Sequence, residues 1–182
     1  MDDRASQLSR TIAYALRHRP HEFGLALDSS GWVAIDQVVA ALSRHDRTWQ
    51  GLTAGEIEGA LAAQSKQRFE LAGGRIRALY GHSLKDTIEM EPQAPPVTLF
   101  HGTTSTALEK IRHQGLISMR RQHVHLSPDV GTAAEVARRR TKTPVILEVR
   151  AQMAAAAGCR LYRRNRQVWL SDDIDPSFLN LP

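Results

Sequence analysis

Arg68-Phe69-Glu70-Leu71-Ala72-Gly73-Gly74-Arg75-Ile76-Arg77-Ala78-Leu79 alternates apolar and polar residues, turns at two glycines, and alternates back. Two alternating runs joined by a Gly-Gly pair predict a β-hairpin. With a side-chain period of two, Arg75 and Arg77 share one face of the returning strand while Ile76 points to the core. Upstream, helical spacing predicts three helices. Leu8, Ile12, Ala15 and Leu16 form the first stripe, with Ser6 as its cap and Pro20 as its stop. Gly31-Trp32-Val33 predicts a short strand entering a second helix, whose stripe is Val38, Val39 and Leu42. Thr53 and Glu56 have the spacing of a capping box and open a third helix through Ile57, Leu61 and Ala62. Helices followed by a hairpin predict a winged-helix lobe.

Downstream, Glu89-Met90-Glu91-Pro92-Gln93-Ala94-Pro95-Pro96 holds three prolines in five residues. It can neither continue a helix nor donate to a central strand, so it predicts a stiff extended linker. The expected organisation is a lobe over residues 1–90, a linker over 91–96 and a second lobe over 97–182. The second lobe should open with a strand, Val97 to Phe100, ending in His101-Gly102-Thr103-Thr104-Ser105. Thr106 and Glu109 again have capping-box spacing ahead of a short helix that closes at Gly115. Short strands are expected at His123–Leu126, Leu161–Tyr162 and Val168–Leu170, a helix over Asp129–Arg140, and a buried strand over Val145–Val149. The whole predicts an α+β protein whose second lobe is β-rich, with helices packed on one side.

Composition narrows the function classes. The chain has 182 residues, 42% hydrophobic and 24% charged, which is globular rather than disordered or fibrous. Ala151 to Cys159 is the longest uncharged stretch near the end and too short to cross a bilayer. No apolar segment follows Met1-Asp2-Asp3-Arg4, so no secretory leader is expected. The single cysteine, Cys159, has no disulfide partner, which points to a reducing, cytoplasmic compartment. Charge is uneven: residues 1–90 carry 11 basic and 11 acidic side chains, whereas Arg112–Arg166 carries 12 basic and 3 acidic. A field of that sign suits a polyanionic partner, or simply a soluble arginine-rich surface.

Several groups can carry chemistry. Leu16-Arg17-His18-Arg19-Pro20 places cations at a helix carboxyl end, either complementing its dipole or gripping an anion. His101-Gly102-Thr103 at a strand end can admit a ligand close to the backbone and donate to ribose hydroxyls or a pyrophosphate. His123 and His125 share a strand face but have no third ligand nearby, so no metal is expected. Arg138-Arg139-Arg140 is the densest positive point. The P-loop, Gly-x-Gly-x-x-Gly and Gly-x-Ser-x-Gly patterns are all missing.

In order along the chain, the segments Leu16-Arg17-His18-x-Pro20, Gly31-Trp32-Val33, Arg68-Phe69, Ile76-Arg77-Ala78 and Gly81-His82-Ser83 resemble the RNA 2′-phosphotransferase (KptA, tRNA 2′-phosphotransferase) family. The resemblance continues with His101-Gly102-Thr103, Gly115-Leu116, Met119-x-Arg121-x-His123-Val124-His125-Leu126-Ser127 and Val168-Trp169-Leu170, and so spans nearly the whole chain. It implies a winged-helix lobe followed by an ADP-ribosyltransferase-like lobe that binds NAD. It also implies NAD-dependent removal of an internal RNA 2′-phosphate, in which the phosphate attacks C1″ of NAD and expels nicotinamide. The RNA then carries a 2′-phospho-ADP-ribosyl group. Attack by the ribose O2″ gives 2′-hydroxyl RNA and ADP-ribose 1″,2″-cyclic phosphate.

By the same resemblance the catalytic residues are Arg17, His18, Arg77 and Arg139. Arg139 matches within Val136-Ala137-Arg138-Arg139-Arg140-Thr141, where the family's glycines are replaced and Arg138 and Arg140 are neighbours. The NAD side takes His101, Gly102 and Thr103, with His125 and Ser127 in the same cleft and Arg121 as a phosphate contact. Arg164-Asn165-Arg166-Gln167 departs from the family's Asn-Gly-Val turn. The partners expected are RNA bearing an internal 2′-phosphate and NAD, with no membrane, and the protein acting as a monomer. Two other classes stand beside this one: an ADP-ribosyltransferase that caps phosphorylated nucleic-acid ends, and a non-catalytic nucleic-acid-binding module.

Overall fold

The computed structural model describes residues 3–182; Met1 and Asp2, where the leader question falls, lie outside the described residues. The chain forms two compact units, one ending at Glu89 and one beginning at Met90. Both mix helix and sheet, an α+β protein.

In the first unit, α1 runs Asp3–Arg17 and buries Leu8, Ile12, Ala15 and Leu16. It starts earlier than expected: Ser6 lies inside it, and the acidic Asp3 sits in the first turn, where negative charge complements the helix dipole. The helix stops short of Pro20, which opens a 3-10 turn, Pro20–Phe23. β1 (Val33–Ala34) leads directly into α2 (Ile35–His45), where Val38, Ala41 and Leu42 are buried. At α3 (Ala54–Ala62) the capping box forms in both directions: Glu56 N–H donates to Thr53 Oγ1 at 3.2 Å and Thr53 N–H to Glu56 Oε2 at 2.9 Å.

β2 (Phe69–Ala72) and β3 (Arg75–Ala78) pair antiparallel across a two-residue loop, with Glu70 opposite Arg77 and Leu71 opposite Ile76. Gly73 and Gly74 both take positive φ, 54° and 68°, the backbone such a tight turn needs. β3 is the central strand of the order β1-β3-β2. Ile12, Leu16, Leu42, Ile57 and Ile76 are wholly buried and form the centre of this unit's core.

In the second unit, β4 (Leu99–Thr103) pairs antiparallel with β6 (Val145–Val149), and β9 (Leu179–Asn180) adds to the other side of β6. β5 (Val124–Leu126), β8 (Trp169–Ser171) and β7 (Leu161–Arg163) form a second sheet in that order. The two sheets are stitched by mutual bonds between Phe100 and Ser127.

Four expectations shift here. His101-Gly102-Thr103 lies within β4, not after it, because residues 99–103 pair one by one with 145–149. The Thr106/Glu109 capping box does not form: Thr106 bonds the Thr104 hydroxyl, and α4 (Leu108–Gln114) starts without a side-chain cap. α5 covers only Val130–Ala137, capped by Asp129 on the Thr132 N–H at 2.7 Å. Its end tightens to i→i−3 bonds from Arg139 and Arg140, leaving the three arginines in a turn. β6 is buried at Leu147 and Val149 but exposed at Glu148, so it alternates like a strand with one covered face. The alanine-rich stretch forms α6 (Ala151–Ala156).

The proline-rich segment is tied down within the second unit. Gln93 N–H donates to the carbonyl of Leu161 on the outer strand β7, and Pro95 is buried. Among the described residues no helix is long and apolar enough to cross a membrane.

Candidate active site

Two clusters hold the residues singled out above, one in each unit. In the first, Arg17 ends α1, and its Nη2 donates to the Arg68 carbonyl at 3.3 Å. Its guanidinium lies 5.6 Å from the Phe69 ring and 5.0 Å from the Tyr80 ring, within reach of cation–π attraction. The chain leaving β3 passes over this helix end. Leu79 N–H donates to the same Arg68 carbonyl, and Ser83 N–H donates to the carbonyl of Arg17, one of those a helix terminus leaves unpaired. Gly81 makes that path possible at φ +90°. His18 Nδ1 lies 2.8 Å from the Ser83 hydroxyl.

Arg77 is fixed on three sides. Glu70 Oε2 accepts from Nε at 2.8 Å and from Nη2 at 2.6 Å. Nη1 reaches the Ser30 carbonyl at 3.4 Å, and the Trp32 ring lies 4.5 Å from the guanidinium. Arg75, two residues back on the same face, also lies over Trp32 and pairs with Asp28 at 3.1 Å. Arg17, His18 and Arg77 are therefore all anchored to one hairpin and the segment that follows it. Glu70, Ser30 and Ser83 were not singled out from the sequence as functional residues. The Glu70–Arg77 pairing could have been: a two-residue loop at Gly73-Gly74 makes them opposite one another by counting.

In the second unit, His101 Nδ1 donates to the His125 carbonyl at 2.9 Å, since a carbonyl only accepts. That fixes the tautomer and leaves Nε2 as an acceptor in the neutral ring. Burial holds this imidazole below the usual histidine range; the bond to His125 acts the other way, and the charge of Arg140 adds to the depression. Ser127, buried, is paired with Phe100, the residue before His101. His101, His125 and Ser127 thus form one cluster.

Gly102 also has a packing role. A methyl group there would run into the Ala133 carbonyl oxygen and stand 2.8 Å from the Ala137 Cβ, so its missing side chain is what lets α5 lie against β4. That contact also carries the Arg138–Arg140 turn toward His101. The three arginines are all exposed, and Arg140 is the one whose charge acts on the His101 ring. Thr103 ends β4, and Arg121 is exposed in the turn before β5. His123 is buried edge-on against Tyr162, ring centroids 5.2 Å apart. Among the described residues no three His, Cys, Asp or Glu side chains gather as a metal site.

Sequence comparison adds an independent line. The model of the family described as "RNA 2′-phosphotransferase, Tpt1 / KptA family" matches residues 3–173. A protein of Acetivibrio thermocellus named a probable RNA 2′-phosphotransferase is 41% identical over 174 residues, covering 96% of this chain and 95% of its own. One of Burkholderia lata with the same name is 43% identical over 180 residues, covering 96% and 90%. A third, from Bacillus thuringiensis, is 40% identical over 174 residues, covering 96% and 94%. With a match that runs through both units and takes in the Arg17, Arg77, His101 and Arg139 segments alike, the chain belongs to the RNA 2′-phosphotransferase family, Tpt1/KptA.

Proposed function

We propose that this protein removes an internal 2′-phosphate from RNA by transferring it to NAD. In this reading residues 1–90 are a winged-helix lobe that grips the phosphate. Residues 91–96 connect it to an ADP-ribosyltransferase-like lobe, 97–182, that holds NAD. The observation that carries the reading is that two guanidiniums, Arg17 at the end of α1 and Arg77 on β3, are each held against the β2–β3 hairpin, with His18 bonded to Ser83 in the segment that follows it.

A phosphate monoester is close to dianionic at neutral pH, and guanidiniums stay protonated while offering two-point contacts to its oxygens. Backed by aromatic rings and backbone carbonyls, these two are pre-organised and need little rearrangement when the substrate arrives. Arg139 contributes the third cation. The NAD-side residues fit a dinucleotide by hydrogen-bonding chemistry: His101 Nε2 can accept from a ribose hydroxyl, and Arg121 can meet a phosphate.

NAD supplies a carbon, C1″, that carries a good leaving group, so positioning does much of the first step. A phosphate oxygen bonds to C1″ as the bond to nicotinamide breaks. In the second step O2″ bonds to phosphorus, its proton passes to a base, and the RNA 2′-oxygen leaves and is protonated. His18 suits this proton traffic. The Ser83 hydroxyl can donate to Nδ1 or accept from it, so His18 can present Nε2 either as acid or as base.

The test is incubation of an oligonucleotide bearing a labelled internal 2′-phosphate with and without NAD. Nicotinamide release with label leaving as ADP-ribose cyclic phosphate is the expected outcome, and label left untouched in the presence of NAD refutes the proposal. Label retained on the RNA together with ADP-ribose would identify the end-capping type of transferase instead. Arg77→Ala and Arg139→Ala should each spare NAD binding and stall phosphate removal. His101→Ala should raise the NAD concentration required, and an unchanged NAD dependence removes it from the site.

A further inference from the structure

Glu70 plays no part in the bond-making steps above, yet it occupies one edge of Arg77. A guanidinium offers two edges for two-point contact: a side edge made of Nε–H and one Nη2–H, and an end edge made of one N–H from each Nη. Glu70 Oε2, 2.8 Å from Nε and 2.6 Å from Nη2, occupies the side edge. The Ser30 carbonyl takes one N–H of Nη1 at 3.4 Å, and Trp32 lies 4.5 Å away over the ring-like plane of the group. Of five donors, three are engaged within this unit. With the side edge taken, two-point contact with a further partner falls to the end edge, where each Nη contributes one N–H.

The pair is also well placed to hold that orientation. Glu70 and Arg77 face one another across the β2–β3 ladder, so neither side chain has to stretch to meet the other. Arg77 is the more buried of the two, 19% exposed against 38% for Glu70. The side and end edges share Nη2, so a carboxylate held on the first fixes the direction in which the second points. We propose that Glu70 is a positioning residue of the phosphate clamp: by holding the side edge of Arg77 it presents the end edge to the 2′-phosphate. This rests on the reading of Arg77 as a phosphate ligand.

The experiment compares, on the full-length chain, the affinity for a 2′-phosphorylated oligonucleotide with that for its 2′-hydroxyl counterpart by fluorescence anisotropy. Glu70→Ala should reduce the preference for the phosphorylated strand about 10-fold, because the freed guanidinium samples other orientations. Glu70→Gln keeps an acceptor oxygen on the side edge and should recover the preference to within about threefold of the parent. In an Arg77→Ala background, Glu70→Ala should cost nothing further, since its whole effect passes through Arg77. The proposal is overturned by a Glu70→Ala preference within twofold of the parent, or by an undiminished loss in the Arg77→Ala background. It is equally overturned by Glu70→Gln being as impaired as Glu70→Ala, by an equal loss of affinity for both strands, or by a parent with no preference at all. A parent that prefers the phosphorylated strand but leaves its phosphate in place with NAD refutes the transfer reaction alone; the mutant comparison then still decides the role of Glu70.

Discussion

At the scale of single residues, the two anchored arginines are held by different means. Arg17 spends a donor on a backbone carbonyl and lies among aromatic rings, whereas Arg77 is steered by a carboxylate. His18 Nδ1 is paired with the Ser83 hydroxyl. Ser83→Ala should therefore slow the second step about 10-fold, with ADP-ribosylated RNA building up transiently while nicotinamide release stays near the parent rate. Rapid-quench analysis of labelled RNA would reveal it; equal slowing of both steps would mean that Ser83 supports only the fold.

At the scale of elements, the contact of α5 with β4 is the critical joint of the second unit. Gly102→Ala should destabilise that unit by about 1–3 kcal/mol, since the backbone of α5 must retreat to admit a methyl group. Denaturant unfolding measures this, and a stability equal to the parent's would show that α5 yields freely. This joint also shows where the sequence was readable and where it was not. The β2–β3 hairpin could be read because its information is local: alternation, two glycines, alternation again. The same is true of the Thr53–Glu56 cap, whose partners are three residues apart. The position of His101-Gly102-Thr103 within β4 could not be read, because pairing with residues more than forty positions downstream sets where that strand ends. Thr106 and Glu109 had the right spacing for a cap, but a nearer hydroxyl, that of Thr104, competes for Thr106. Three consecutive arginines look alike in sequence; only the turn after α5 shows that Arg140 acts on His101.

At the scale of the whole molecule, two histidines of the second unit, His101 and His123, sit below the ordinary imidazole range, each chiefly through burial. The sign follows from linkage. As pH falls below about 6.5 the unfolded chain takes up protons at these positions before the folded chain does, so acid favours unfolding. Stability should hold at neutral pH and decline as the medium is acidified below that point. His123→Phe, which keeps a ring against Tyr162 and removes the titrating group, should flatten the decline. Melting temperatures across this range would check it, and parallel curves for parent and variant would exclude His123 as a source. The proline-rich segment that opens the second unit also guards an edge of sheet. Gln93 shields a rim of sheet at Leu161 that would otherwise offer bare amides and carbonyls to any passing strand. Trimming the carboxyl-terminal half to begin at Val97 would strip that cover and invite self-association. A fragment meant to stay dispersed has to keep the residues from Met90 onward.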